Sequence, residues 1–486
     1  MVVQRAQGLV GWGALALILI AVLPIGANSP ITWLTLAALC LALFAVQMAI
    51  DLADKHIPPY IALLAPPAVL FLGVVGWAAF QLWPAAPDDW LHDAWIYVGG
   101  TEGRVAVDPS SGRHMLARLI GYAMVFWIAV RACADPKRAV LMTKVIALFS
   151  TALALYGVAA VTFGTNWLTG EDSDRIVTAT FVNRNHYATY AAFGFLANVA
   201  ALALMFEKRT AAAETARKAL RSVIETMVQG GWVFAFGAAI TAGALMLTVS
   251  RAGIMAAFAG VIVFFILQRR GERGLTWSSP AVIVAALTAA YVVVFGLTAF
   301  VSRLFDLGGG EARLLVYPKV VEAIADRPWL GYGLGGFEDG FRPYLPLDAA
   351  IGRWDFAHNV FLENTMELGL PAAIALYLAL GLIAWRIFTG IKHRQRYGAL
   401  PAFAFAVIVT GALHSLFDFS LQMPAAAALF AFILGLGWAQ SFSSRFATTA
   451  RRTARRGDHS HVRRRLAASG AGFRGAQQPA PTHAPR

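Results

Sequence analysis

Charge is scarce in this sequence and cysteine almost absent. Of its 486 residues only 14% are Asp, Glu, Lys or Arg, 58% are hydrophobic, and the mean hydropathy is +0.61. So few charges cannot clothe a soluble surface of this size, and most of the surface must face lipid. The two cysteines, Cys40 and Cys133, lie in or at the edge of apolar runs, which excludes a disulfide framework and a Cys-rich metal site. Carboxylates are missing from the middles of the apolar runs, where an ion-coupled transporter usually keeps one. No cluster of carboxylates and histidines has metal-ligand spacing, so neither metal nor cofactor is expected.

What the sequence does have is a succession of apolar runs of about 20 residues, each long enough to cross a bilayer. They predict an all-α polytopic membrane protein with about twelve transmembrane helices, at roughly 8–27, 30–50, 60–83, 115–133, 139–163, 185–206, 229–249, 251–268, 278–300, 359–386, 398–416 and 424–442. Arg5 and the apolar run after it resemble a signal peptide, but no cleavage site follows and the run reads as the first span. With both termini cytoplasmic, the inner segments hold 28 Lys+Arg and 8 Asp+Glu and the outer ones 12 and 19, which accounts for all 40 and 27. That asymmetry is what the positive-inside rule expects, so the net charge of +13 reports topology and not nucleic-acid binding.

Three stretches stand apart from the spans. Residues 207–228 read as a helix on the inner membrane surface, and 443–486 as a disordered, Arg-rich cytoplasmic tail, both facing anionic headgroups. The outer segment 301–357, between spans nine and ten, is too long for a hairpin and too aromatic for disorder. Within it Arg313, Tyr317, Val320 and Ile324 share one helical face, and PWLGYGLGGF (328–337) reads as close-packed loop backbone and not a dinucleotide fingerprint.

Polar residues gather at the outer ends of spans: Asn183, Arg184, Asn185 and His186; Ser250 and Arg251; Arg313; His358 and Asn359; His414 and Asp418. Arg251 sits in a turn so short that its guanidinium stays at the lipid boundary, where its planar fork of donors suits phosphate oxygens. Together with Arg313 it can neutralise a pyrophosphate. His358 stands at the lip of a span, where an imidazole can take a proton from a hydroxyl near neutral pH. Asn359 either orients that ring or caps the helix, whereas Glu363 and Glu367 are expected to project elsewhere and pair with loop Arg or Lys.

These residues resemble the O-antigen ligase and O-antigen polymerase family of bacterial envelope glycan enzymes. The resemblance rests on SRAG (250–253), on R-x3-Y (313–317) leading into PWLGYGLGGF, and on His358-Asn359 followed by nine residues and Gly369; FVNRNHYATY (181–190) and HSLFDFSLQMP (414–424) support it. It covers about residues 180–430, within a polytopic domain of 1–442. It implies an inner-membrane glycosyltransferase that moves a glycan from undecaprenyl pyrophosphate to an acceptor hydroxyl at the periplasmic face. Arg251 and Arg313 would hold the diphosphate and His358 would assist the hydroxyl, with Asn183, Asn185, Asn359 and Asp418 lining the substrate site. Lipid A core is the acceptor expected for a ligase. An O-antigen or exopolysaccharide polymerase is the alternative within the family, and a bicarbonate or lipid-linked glycan transporter the alternative from another class.

Overall fold

The computed structural model describes residues 2–54, 59–97, 103–170, 176–207, 216–271, 311–346, 354–392, 394 and 396–442. Every regular element among them is helical. The principal helices are α1 (Val2–Ile20), α2 (Pro30–Ala53), α3 (Ala65–Gln81), α4 (Pro109–Ala132), α5 (Pro136–Phe163), α6 (Arg184–Glu207), α7 (Ala216–Thr226), α8 (Trp232–Leu247), α9 (Arg251–Gly271), α10 (Glu311–Asp326), α11 (Val360–Leu368), α12 (Leu370–Lys392), α13 (Ala399–His414) and α14 (Pro424–Gln440). Several begin at a Ser-Pro or Asp-Pro step. Ser29, Asp108 and Asp135 accept from the first helical amides, while the proline supplies a preset φ where no donor is needed.

Eight described helical stretches are long and apolar enough to cross a membrane, and α3, α13 and α14 are shorter apolar helices beside them. The chain is thus a multi-pass membrane protein. The expected span at 278–300 and the tail 443–486 lie outside the described residues. Burial separates centre from periphery: 94% of the most apolar 18-residue stretch of α6 is buried against 17% of that of α2, so α6 is a central post and α2 a lipid-facing one. The second central post, α14, is packed by α4 and α13. Its run of Ala and Gly makes this possible, since a methyl at Gly435 would fall 2.4 Å from the Phe126 carbonyl oxygen.

Two segments depart from the sequence expectation. Residues 216–226 are helical, but they run through a π-turn at Met227–Gly231 directly into α8, so a candidate span extends from Arg221 to Leu247. The expected tenth span is two helices, α11 and α12, broken at Gly369. That residue has φ 77° and ψ 159°, a conformation other residues avoid, and a Cβ there would lie 2.5 Å from the Trp329 carbonyl oxygen. The break exists because the glycine-rich strap docks on it. The Tyr332 and Gly333 amides donate to the Met366 and Glu367 carbonyls at 3.0 and 2.9 Å, and Leu370 N–H donates to Pro328 at 2.8 Å.

Candidate functional site

The polar residues at the ends of α6, α9, α11 and α13 meet around one buried carboxylate. Asp418, 1% exposed, follows α13 in the turn that leads to α14. It accepts from Asn185 Nδ2 at 2.6 Å and from Ser420 Oγ at 2.9 Å. Two imidazoles stand at ion-pair distance, His186 Nε2 at 3.7 Å and His358 Nδ1 at 3.9 Å. Burial alone would raise the Asp418 pKa, but bonding to His358 and the fields of His414, His186 and His358 outweigh it and hold the group well below the usual carboxylate range. Asp418 is therefore a fixed negative charge inside an apolar bundle.

Of the three imidazoles around Asp418, His358 is the one that reaches the surface, with a quarter of its side chain exposed. Its backbone is held at φ 54°, where a non-glycine residue needs support from its surroundings. Support comes from three directions. Tyr317 of α10 donates its hydroxyl to the His358 carbonyl at 3.0 Å; Trp354 and Phe419 meet the imidazole edge-on at 5.6 and 4.9 Å; and Asn359 caps α11 by accepting from Phe361 N–H and Leu362 N–H, each at 3.1 Å. Phe356 stacks on Phe419 at 4.1 Å and closes the aromatic floor.

Arg251 opens α9 after a link of only three residues, Thr248 to Ser250. The first turn of α9 is wedged into the cluster: a methyl on Gly253 would lie 2.7 Å from Ala188 Cβ of α6 and 3.4 Å from His414 Cε1 of α13. His414 is itself anchored through Nδ1 to the Thr189 hydroxyl. Arg313 lies one helical turn before Tyr317 on α10, and its side chain lies outside the described residues. Asn183 starts α6, accepting from Asn185 N–H at 2.8 Å, so it shapes the turn that delivers Asn185 to Asp418. The geometry thus joins Asn185, Asp418 and His358 directly, brings the Arg251 turn alongside, and gives Asn183 and Asn359 capping roles.

Glu363 and Glu367 correct the sequence expectation. Both are 1% exposed and neither pairs with a loop Arg or Lys among the described residues. Glu363 accepts from Ala357 N–H and from Gln422 Nε2, each at 2.7 Å, so it ties the turn before His358 to the turn after Asp418. Glu367 accepts from Phe337 N–H at 3.2 Å and holds the glycine-rich strap. Burial raises both pKa values, that of Glu363 with help from its neighbour Glu367, and the amides on Glu367 only partly offset the rise, leaving it at about 7. Their charge read as surface because α11 was expected to be the start of a span; the strap and the turns bury it. Gln81 was also missed. It donates to the Leu330 and Glu367 carbonyls at 2.8 and 3.0 Å and accepts from Leu334 N–H at 3.2 Å, anchoring α3 to the strap. A lone glutamine ending the apolar run of α3 was the available signal, since such a group needs partners.

Residues 236–377 match the family model described as O-antigen ligase. The chain carries an O-antigen ligase domain. The match bears out the resemblance read from the motifs, and the family it names implies a membrane glycosyltransferase of the ligase or polymerase kind. The domain so matched contains Arg251, Arg313, the strap, His358 and α11, while Asn185 and Asp418 reach it from flanking helices. No curated protein matches the chain.

Proposed function

We propose that the chain transfers a glycan from undecaprenyl pyrophosphate to an acceptor hydroxyl at the periplasmic face of the bacterial inner membrane, with lipid A core as the acceptor. The observation that carries this reading is the contact of a partly exposed His358 with a buried, ionised Asp418, beside the Arg251 turn of an O-antigen ligase domain.

The chemistry follows from those positions. The acceptor oxygen forms a bond to the anomeric carbon as the bond from that carbon to the diphosphate oxygen breaks, and the pyrophosphate leaves with both electrons on its lipid carrier. Arg251 and Arg313 stabilise the charge that grows on this leaving group, in a site where surrounding apolar helices strengthen each contact. His358 takes the hydroxyl proton, and Asp418 on its Nδ1 side stabilises the imidazolium that forms. Asn185 and Ser420 keep Asp418 aimed, and Tyr317 holds the backbone of His358 in place.

The test is deletion of the gene in its host followed by comparison of lipopolysaccharide ladders, lipid-linked glycans and secreted polysaccharide, with wild type, His358→Ala and Arg313→Ala as complementing copies. Loss of the ladder with accumulation of polymeric lipid-linked glycan, restored by wild type alone, is the expected result. A core bearing one repeat would assign the chain as an O-antigen polymerase, and lost exopolysaccharide with an intact ladder as a polymerase of that second pathway. Normal glycans throughout would overturn the reading and leave transport to be tested.

A further inference from the structure

Of the three arginines of α4, Arg113 is exposed, and of the other two only Arg131 has acidic partners among the described residues. Arg131 meets Asp51 at 2.8 Å and Asp54 at 3.4 Å. Arg118 makes no ion pair with an acidic side chain among the described residues. Its guanidinium lies 4.6 Å from the centre of the Trp33 ring, Nη1 donates to Met115 Sδ at 3.6 Å, and Nε is buried without a hydrogen-bond partner among the described residues. Nine residues, or about 13 Å, separate it from the start of α4 at Pro109. A snorkelling arginine would carry its head away from apolar surroundings. Here the head is covered by Trp33 and lines a cleft whose other walls are Leu36 and Cys40 of α2, Val125 of α4, and Pro424 of α14. A cation in such a place calls for a counter-charge, and the neighbouring side chains supply none.

We propose that this cleft between α2 and α4 binds the phosphate of an anionic membrane phospholipid, at a site separate from the one that handles the glycan donor. The enclosed space is about 20 Å3, roughly enough for one water-sized group. Its lining is almost wholly apolar, so a phosphate meets the part-exposed guanidinium at the mouth of the cleft and leaves the acyl chains outside. The apolar face that α2 turns outward, with Leu34, Leu39 and Leu41 all more than 40% exposed, is where those chains lie. The cleft and the Asp418 cluster lie on different faces of the first turn of α14. Pro424 and Ala428 of α14 line the cleft, whereas Met423 and Ala426 pack with Phe419 on the other side. A lipid seated here braces the first turn of α14, and through it the turn that carries Asp418.

The experiment is native mass spectrometry of the full-length protein titrated with phosphatidylglycerol, with phosphatidylcholine and inorganic phosphate as parallel arms. Wild type should retain one phosphatidylglycerol in preference to phosphatidylcholine, undisplaced by inorganic phosphate. Arg118→Met should weaken that retention about tenfold, as loss of one charge-assisted contact does. Gly121→Ala is a second variant that keeps the cation and narrows the cleft; a Cβ at Gly121 meets nothing nearer than Ala37 Cβ at 4.0 Å, so the helix itself accommodates it. It should reduce retention as well, whereas Arg113→Gln, an exposed arginine on the same helix, should leave it unchanged. Equal phosphatidylglycerol retention by wild type and both cleft variants would overturn the proposal. So would equal retention of phosphatidylcholine, or displacement by inorganic phosphate, which would mark a free-anion site. All of these outcomes are independent of glycan transfer.

Discussion

Asp51 and Asp418 are both buried aspartates at helix ends, and they lie toward opposite ends of the bundle. Asp418 precedes α14, while Arg131, the partner of Asp51, lies near Cys133, whose carbonyl accepts from Gln440 at the far end of α14. Their partners differ in kind. Asp51 is saturated by donors that do not titrate near neutral pH: Arg131 Nε at 2.8 Å, Gln47 Nε2 at 2.9 Å and Trp127 Nε1 at 3.0 Å. Asp418 takes two neutral donors and faces three imidazoles, one of which is partly exposed. A carboxylate locked to a guanidinium can only hold helices together. One facing an accessible imidazole can support a proton transfer, because it steadies the imidazolium that forms when the ring takes a proton.

Substitutions can break this contrast, starting with the strongest. His358→Ala should reduce glycan transfer about 10^3-fold, the scale of a lost general base, while abundance and melting stay near wild type; in vitro transfer per folded molecule measures it. Arg131→Met should do the opposite, leaving Asp51 buried and unpaired at a cost of about 3–5 kcal/mol, seen as a lowered melting temperature and yield with transfer per folded molecule unchanged. Asp418→Asn should slow transfer roughly 100-fold and shift the pH–rate profile, because the imidazolium of His358 loses its counter-charge.

The acids of α11 sharpen the comparison from a third side. The folded protein holds the Glu367 pKa at about 7, above its ordinary 4.5, so the protonated form is favoured by folding. Stability from this group is fully present below pH 4.5 and is lost as pH rises through about 7. The melting temperature should therefore fall between these limits, and Glu367→Gln should flatten the slope. Asn359→Ala has the smallest expected effect on stability, about 1 kcal/mol for a lost helix cap, with a measurable loss of transfer because the capped turn carries His358.

Much of this was legible in the sequence, for physical reasons. Lipid leaves no choice but helices for apolar runs, so the described spans overlap the predicted runs, except that the tenth is broken at Gly369 and the seventh starts earlier, at Arg221. Polar residues at span ends had to find one another, and Asn185, His358 and Asp418 do. What stayed hidden depended on contacts between distant segments. Gly369 as a helix break, Glu363 as a tie between two turns, and Gln81 as an anchor for the strap all arise from pairings across tens to hundreds of residues. Periodicity along one helix carries no trace of them. Arg118 was hidden for a related reason: a charge near the start of a span reads as an interfacial flank until Trp33 is seen to cover it.

The most direct test is glycan transfer by the purified protein from a lipid-pyrophosphate donor, measured alongside melting temperature for His358→Ala and Asp51→Asn. His358→Ala is expected to melt like wild type and transfer about 10^3-fold more slowly, while Asp51→Asn melts lower and transfers normally per folded molecule. Undiminished transfer by well-folded His358→Ala would contradict the role given to His358.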